Sequence, residues 1–173
     1  MKSKINHLIS AVVVVIFTAL AIASDEESSD NSGNAENSAK VEVGDVLKTR
    51  YFDVVVNQVG LQRSVRIDGF QDLKPVQDIQ YLIINVSFKN TDTESRMLDE
   101  GSVWIKYNNK NYQFDKSETI LKDGWGLFLD QINPLVTKTT NIVYKIPMEI
   151  KGPAYWQPGR ANNNQRIYLG DLE

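Results

Sequence analysis

IQYLIINVSFKN, residues Ile79 to Asn90, is the stretch whose reading decides the fold. Leu82, Ile84, Val86 and Phe88 fall on one side of an extended chain, and Tyr81, Ile83, Asn85 and Ser87 on the other. That period of two marks a strand with one buried face. The β-branched and aromatic content agrees. Asn90-Thr91-Asp92-Thr93 then closes the run with residues that favour turns. The stretch predicts a central strand on which the others gather.

The same alternation recurs in both directions. Val41-Glu42-Val43-Gly44-Asp45 predicts a short strand and a turn. Residues 50–59 place Phe52, Val54 and Val56 on one face, with Gly60 as the expected break. Val65 and Ile67 predict a short edge strand over 64–68, guarded against pairing by Arg63 and Arg66. Residues 102–107 and 111–115 flank Asn108-Asn109-Lys110, and asparagine tolerates left-handed backbone, so a β-hairpin is expected. Val103, Ile105 and Tyr107 share one face, with Tyr112 and Phe114 joining them across the turn. Residues 116–134 have no clear period. One helical turn fits 117–121, Gly124-Trp125-Gly126 interrupts regular structure, and Leu127, Phe128, Leu129 and Ile132 need burial. Residues 139–147 form a strand with Thr140, Ile142, Tyr144 and Ile146 on one face and Pro147 at its end. Residues 154–157 and 165–169 make the last pair, with Ile167 and Leu169 inward. Seven or eight short strands at roughly ten-residue spacing predict an all-β, antiparallel β-sandwich, with a small barrel as the alternative.

The composition bounds the chemistry. Of 173 residues, 42% are hydrophobic and 24% charged, enough for one domain plus extras. There is no cysteine, which removes disulfides, zinc thiolates, thiol nucleophiles and lipid-linked cysteine. The only histidine is His7. A net charge of -3 and a pI near 5.3 argue against nucleic acid as a partner.

Lys2 and Lys4 precede an apolar run of 16 residues, Leu8 to Ala23, closed by Ala21-Ile22-Ala23. This predicts a signal peptide over 1–23, cleaved after Ala23, and export to the periplasm, envelope or exterior. The run is short of the ~20 residues that span a bilayer, and an uncleaved anchor is the rival reading. Contact with a membrane is expected only through that segment. Residues 24–40 are acidic and rich in Ser and Asn, a composition that predicts a disordered linker. Asp25, Glu26, Glu27 and Asp30 lack the glycine and distal glutamate of a calcium loop. Residues 41–173 are the domain.

Three pieces in order carry a family resemblance: VGD (43–45) with YFDVVVNQV (51–59); YLIINVSFKNTDTE (81–94); and INPLVTKTTNIVYKIP (132–147) trailed by IKG (150–152). They resemble the telokin-like, immunoglobulin-like domains of unknown function in exported bacterial proteins. The resemblance implies an immunoglobulin-like sandwich over about 41–172 and brings no catalytic or binding residues. Many members are lipoproteins; here Ser24 stands where their acylated cysteine would be, so this chain is expected not to be one.

Without histidine or cysteine in the domain, Ser-His-Asp and Cys-His catalysis are absent. No glycine-rich phosphate loop is present, and no cofactor or metal is expected. Asp99, Glu100, Asp115, Glu118, Asp123 and Asp130 could in principle supply a carboxylate pair for glycan hydrolysis, but no spacing selects one. Asn85-Val86-Ser87 matches a glycosylation acceptor, mid-strand in a chain whose leader looks bacterial. The expected contact residues are aromatic: Trp125, between glycines; Trp104, out of phase with Val103 and Ile105; and Tyr155 with Trp156, near a Pro-Gly turn. The expected function is a non-enzymatic binding module with an envelope protein or glycan as partner.

Overall fold

The structure, a computed structural model, describes residues 40–127, 130–160 and 164–173. The expected leader, the linker up to 39, and Phe128 and Leu129 lie outside those residues. The described chain forms eleven strands and no helix: β1 (Val41–Glu42), β2 (Val46–Lys48), β3 (Phe52–Gln62), β4 (Ile79–Asn90), β5 (Arg96–Met97), β6 (Ser102–Tyr107), β7 (Lys110–Phe114), β8 (Gln131–Ile132), β9 (Thr137–Pro147), β10 (Gly152–Gln157) and β11 (Ile167–Leu172). Seven of them have five residues or more, and each of these overlaps a run that the alternation marks.

β4 lies between β3 and β9 in a four-stranded sheet completed by β2. A five-stranded sheet runs β1-β11-β10-β6-β7, and β5 and β8 form a small separate pair. Every pairing is antiparallel except β1 with β11. The two large sheets share one core. Leu82, Ile84, Val86, Phe88, Ile142, Tyr144 and Ile146 face Val103, Ile105, Ala154, Trp156 and Ile167. This is a β-sandwich glued by the alternating inner faces of both layers. Phe52, Phe88 and Trp156 run through it edge to face, with ring centroids 6.1 Å apart at each step.

A polar knot sits within this core. The Tyr144 hydroxyl donates to the Glu100 carbonyl at 2.6 Å, and the Trp156 indole N–H donates to the same carbonyl at 3.0 Å. Burial pushes the Tyr144 hydroxyl well above the ordinary tyrosine range.

Several expectations are corrected. β3 runs on through Gly60, which pairs with Ile83 in ordinary extended backbone. Residues 64–68 make a single bridge, Val65 to Leu73, rather than an edge strand. Asp72 accepts the amides of Ile67, Asp68 and Gly69, so those groups do not enter a ladder. No helical turn forms at 117–121, because Ser117 bridges to Tyr144 and the Glu118 amide donates to the Val143 carbonyl. The chain at 117–126 lines the outer edge of β9 as an irregular substitute strand and protects it from pairing elsewhere. Tyr112 shares the face of Ile105 but stays 37% exposed on the outermost strand.

Candidate binding surfaces

Each sheet has an outer face, and the sequence stocks both with aromatic and amide side chains. On the five-stranded sheet the register sets Trp104 of β6 opposite Tyr155 of β10, and Tyr155 opposite Tyr168 of β11. Three rings therefore stand in a row across three adjacent strands. A bulge builds this row: Ala154 pairs with Gly170, but the next residue, Tyr155, pairs with Tyr168 and skips Leu169. Without the extra residue, Leu169 would face Tyr155 and Tyr168 would turn into the core. Gly170, at φ 111°, supplies the backbone the bulge needs.

Cations cap both ends of the row. The Arg166 guanidinium lies 3.9 Å over the Trp104 ring, and Lys40 Nζ lies 3.3 Å from the Tyr168 centroid. Partial burial draws Arg166 below its usual pKa, opposed by Tyr155. Among the described residues the buried Trp104 indole N–H has no partner. Beside Trp104 opens a cleft of about 480 Å³, whose wall includes Gln113, Gln157, Arg160, Asp99 and Asp115.

The outer face of the four-stranded sheet is different. Part of it is covered by a second apolar cluster, in which Val65, Ile120, Tyr81 and Val143 pack with Ile67, Leu73, Ile83 and Trp125. The remainder is an amide ladder. Asn57 donates to Asn85 Oδ1 at 2.9 Å, Asn85 donates to Asn141 Oδ1 at 2.9 Å, and Asn141 donates to the Gly124 carbonyl at 3.0 Å. Asn57 is the extra residue of a bulge between Val56 and Gln58, and that bulge brings Gln58, Gly60 and Gln62 to this face. A smaller cleft of about 190 Å³ lies between Trp125 and the ladder.

The expected contact residues are thus divided. Trp104 and Tyr155 come together, joined by Tyr168, which the sequence reading missed; its alternation with Ile167 and Leu169 was the available signal. Trp125 stands on the other sheet, half-buried. Trp156 is a correction: it is fully buried at the centre of the core and offers no ring face to a ligand. The carboxylates also separate. Glu118 pairs with Lys145 at 3.0 Å and Asp130 with Lys138 at 2.7 Å, while Glu100 accepts from the Ser117 hydroxyl. Asp99 and Asp115 both line the larger cleft. Among the described residues no three acidic or histidine side chains are grouped to hold a metal.

The sequence model of a family described as a domain of unknown function, DUF4352, matches residues 41–155. The chain belongs to that family. The matched segment of this DUF4352 chain runs from β1 into β10 and stops short of β11. No curated protein matches it. Among solved structures it is similar to an uncharacterized β-sandwich protein of Clostridium difficile 630, at TM-score 0.55 and 16% identity over 79% of this chain and 97% of that one. It is also similar to a conserved hypothetical protein of Bacillus anthracis, at TM-score 0.51 and 22% identity over 75% and 95%. The yjhA protein of Bacillus subtilis compares at TM-score 0.51 and 17% identity over 75% and 99%. At these identities the likeness is one of fold, and it supports the sandwich.

Proposed function

We propose that this DUF4352 domain is an exported, non-enzymatic binding module of the cell envelope. We place its contact surface on the outer face of the five-stranded sheet. The observation that carries the reading is the row Trp104, Tyr155 and Tyr168, three large rings built outside the core by a dedicated bulge. Rings half-buried on a surface are typical anchors for a partner. The immunoglobulin-like, telokin-like character is part of the same proposal. It is supported by two packed, almost wholly antiparallel sheets and by the Gly44 turn, which passes the chain from one sheet at β1 to the other at β2.

Export rests on Lys2, Lys4 and the run from Leu8 to Ala23. An intact mass beginning at Ser24 supports it. A mass retaining 1–23 turns the module into a domain anchored through its N-terminus. Binding is tested by crosslinking and pull-down from the envelope fraction, comparing the wild type with the double variant Tyr155→Ala, Tyr168→Ala. The expected result is an envelope component captured by the wild type and lost from a variant that still folds. Equal capture by both removes this surface from the reading.

One observation favours a second reading, glycan hydrolysis: Asp99 and Asp115 share a cleft walled by Trp104. Asp99 also accepts the Gly101 amide and sits against Gly159, where no side chain fits, so it has a structural task already. Release of reducing ends from envelope glycan that disappears in Asp115→Asn would establish hydrolysis. No release by the wild type leaves the binding module.

A further inference from the structure

We infer that the cleft beside Trp125, on the opposite sheet from the aromatic row, is a binding site for an uncharged saccharide. It is lined by Gln58, Gly60, Gln62, Ile83, Asn85, Asn141 and Trp125. None of these is charged, so an ionic ligand would be left there without a counter-charge. The amides exclude a purely apolar ligand. Asn85 and Asn141 each spend one N–H on the ladder, which leaves each a second to be satisfied. Trp125 and Ile83 supply an apolar wall against that polar floor. A pyranose has this dual character, with a face of C–H groups and a rim of hydroxyls.

The ladder also pre-organises the site. Each carboxamide is held by its neighbour on the next strand, and the last is held by the Gly124 carbonyl. The donors therefore stand at strand spacing, about 4.8 Å apart, without needing to be ordered when ligand arrives. Trp125 is tied to the same floor. It bridges to Asn141, and the Gly126 amide next to it donates to the Asn141 carbonyl at 2.7 Å. The absent side chain at Gly60 keeps the cleft open. A Cβ there would meet nothing within 4 Å, and its backbone is ordinary strand. The glycine is thus not demanded by the fold at this point, and the space above it is available for a ligand.

The test is titration of the full chain with three neutral trisaccharides: those of β-1,4-linked N-acetylglucosamine, β-1,4-linked glucose and α-1,4-linked glucose. Tryptophan emission is the readout. The titration is run in a Trp104→Phe background, so that with Trp156 fully buried the response reports Trp125. The expected result is saturable binding of at least one trisaccharide. Gly60→Val, which fills the cleft, and the surface change Gln58→Ala should each weaken it by about tenfold or more. Calorimetry repeats the measurement with Trp125→Phe and Trp125→Ala, and Phe should retain more affinity than Ala. Unchanged affinity in a folded Gly60→Val protein overturns the site. No binding of any of the three overturns the ligand class. Capture of an envelope protein that is lost in Gly60→Val also overturns it, and makes the cleft a protein contact. None of these outcomes touches the aromatic row, which stands or falls with Tyr155 and Tyr168.

Discussion

Gly101 sits where a methyl group cannot. Its φ is +74°, and a Cβ would lie 2.2 Å from the Gln157 carbonyl oxygen, a backbone atom that cannot swing away. Gly101→Ala is expected to cost at least about 2–4 kcal/mol, from left-handed backbone plus a forced shift of the β10 end. Urea denaturation measures it. The Gly101 carbonyl belongs to the Tyr144 knot, accepting at 3.2 Å. Tyr144→Phe should cost about 1–2 kcal/mol, since it strips a buried donor from the Glu100 carbonyl. Burial raises the folded-state pKa of Tyr144. Its contribution to stability is therefore complete below about pH 10, the unfolded value, and falls as pH rises beyond it. An alkaline stability profile should lose part of that decline in Tyr144→Phe, and ultraviolet titration should show one tyrosine that ionises only on unfolding. At this scale the sequence was readable where alternation was clean, as at Trp104, and misleading at Trp156. The strand over 154–157 was legible, but beside a Pro-Gly turn it is too short to show which face Trp156 takes until its pairing is known.

At the scale of elements, β4 and β9 could be read in full because one face of each is apolar at strict period two. The segment 64–73 could not, because its order comes from a side chain. Asp72 accepts three amides, and chiefly those of Ile67 and Gly69 hold its carboxyl below the ordinary range. A depressed folded pKa means a contribution present above the unfolded value near pH 4 and lost as pH falls through the folded one. Asp72→Asn should flatten that part of the acid limb in a pH series of denaturation midpoints. An unchanged acid limb would show that the loop does not depend on the charge. The stretch 117–126 was illegible for a related reason. Its partners on β9 are more than a dozen residues away, and its pattern answers to them rather than to a period of its own.

At the scale of the molecule, both sheets feed one apolar cluster, so neither should melt alone. Ile84→Ala in one sheet and Ile105→Ala in the other should each cost about 2–5 kcal/mol. Both should leave a single transition in which circular dichroism and tryptophan emission coincide. Two separated transitions would mean that the sheets are independent units. Reductant should move neither midpoint, because the chain has no cysteine and so no disulfide to lose.

The amino-acid sequence by itself determined the all-β class, the strand that anchors it, the Asn-Asn hairpin, and that residues 41–173 contain neither His nor Cys. All of these follow from local alternation, turn propensity or composition. Only the tertiary structure decided which aromatics share a surface. A bulge of one residue reverses the facing of everything after it, and bulges at Asn57 and Leu169 set the register of both outer faces. Such a bulge exists only as a relation between two paired strands, and no window of one strand contains it.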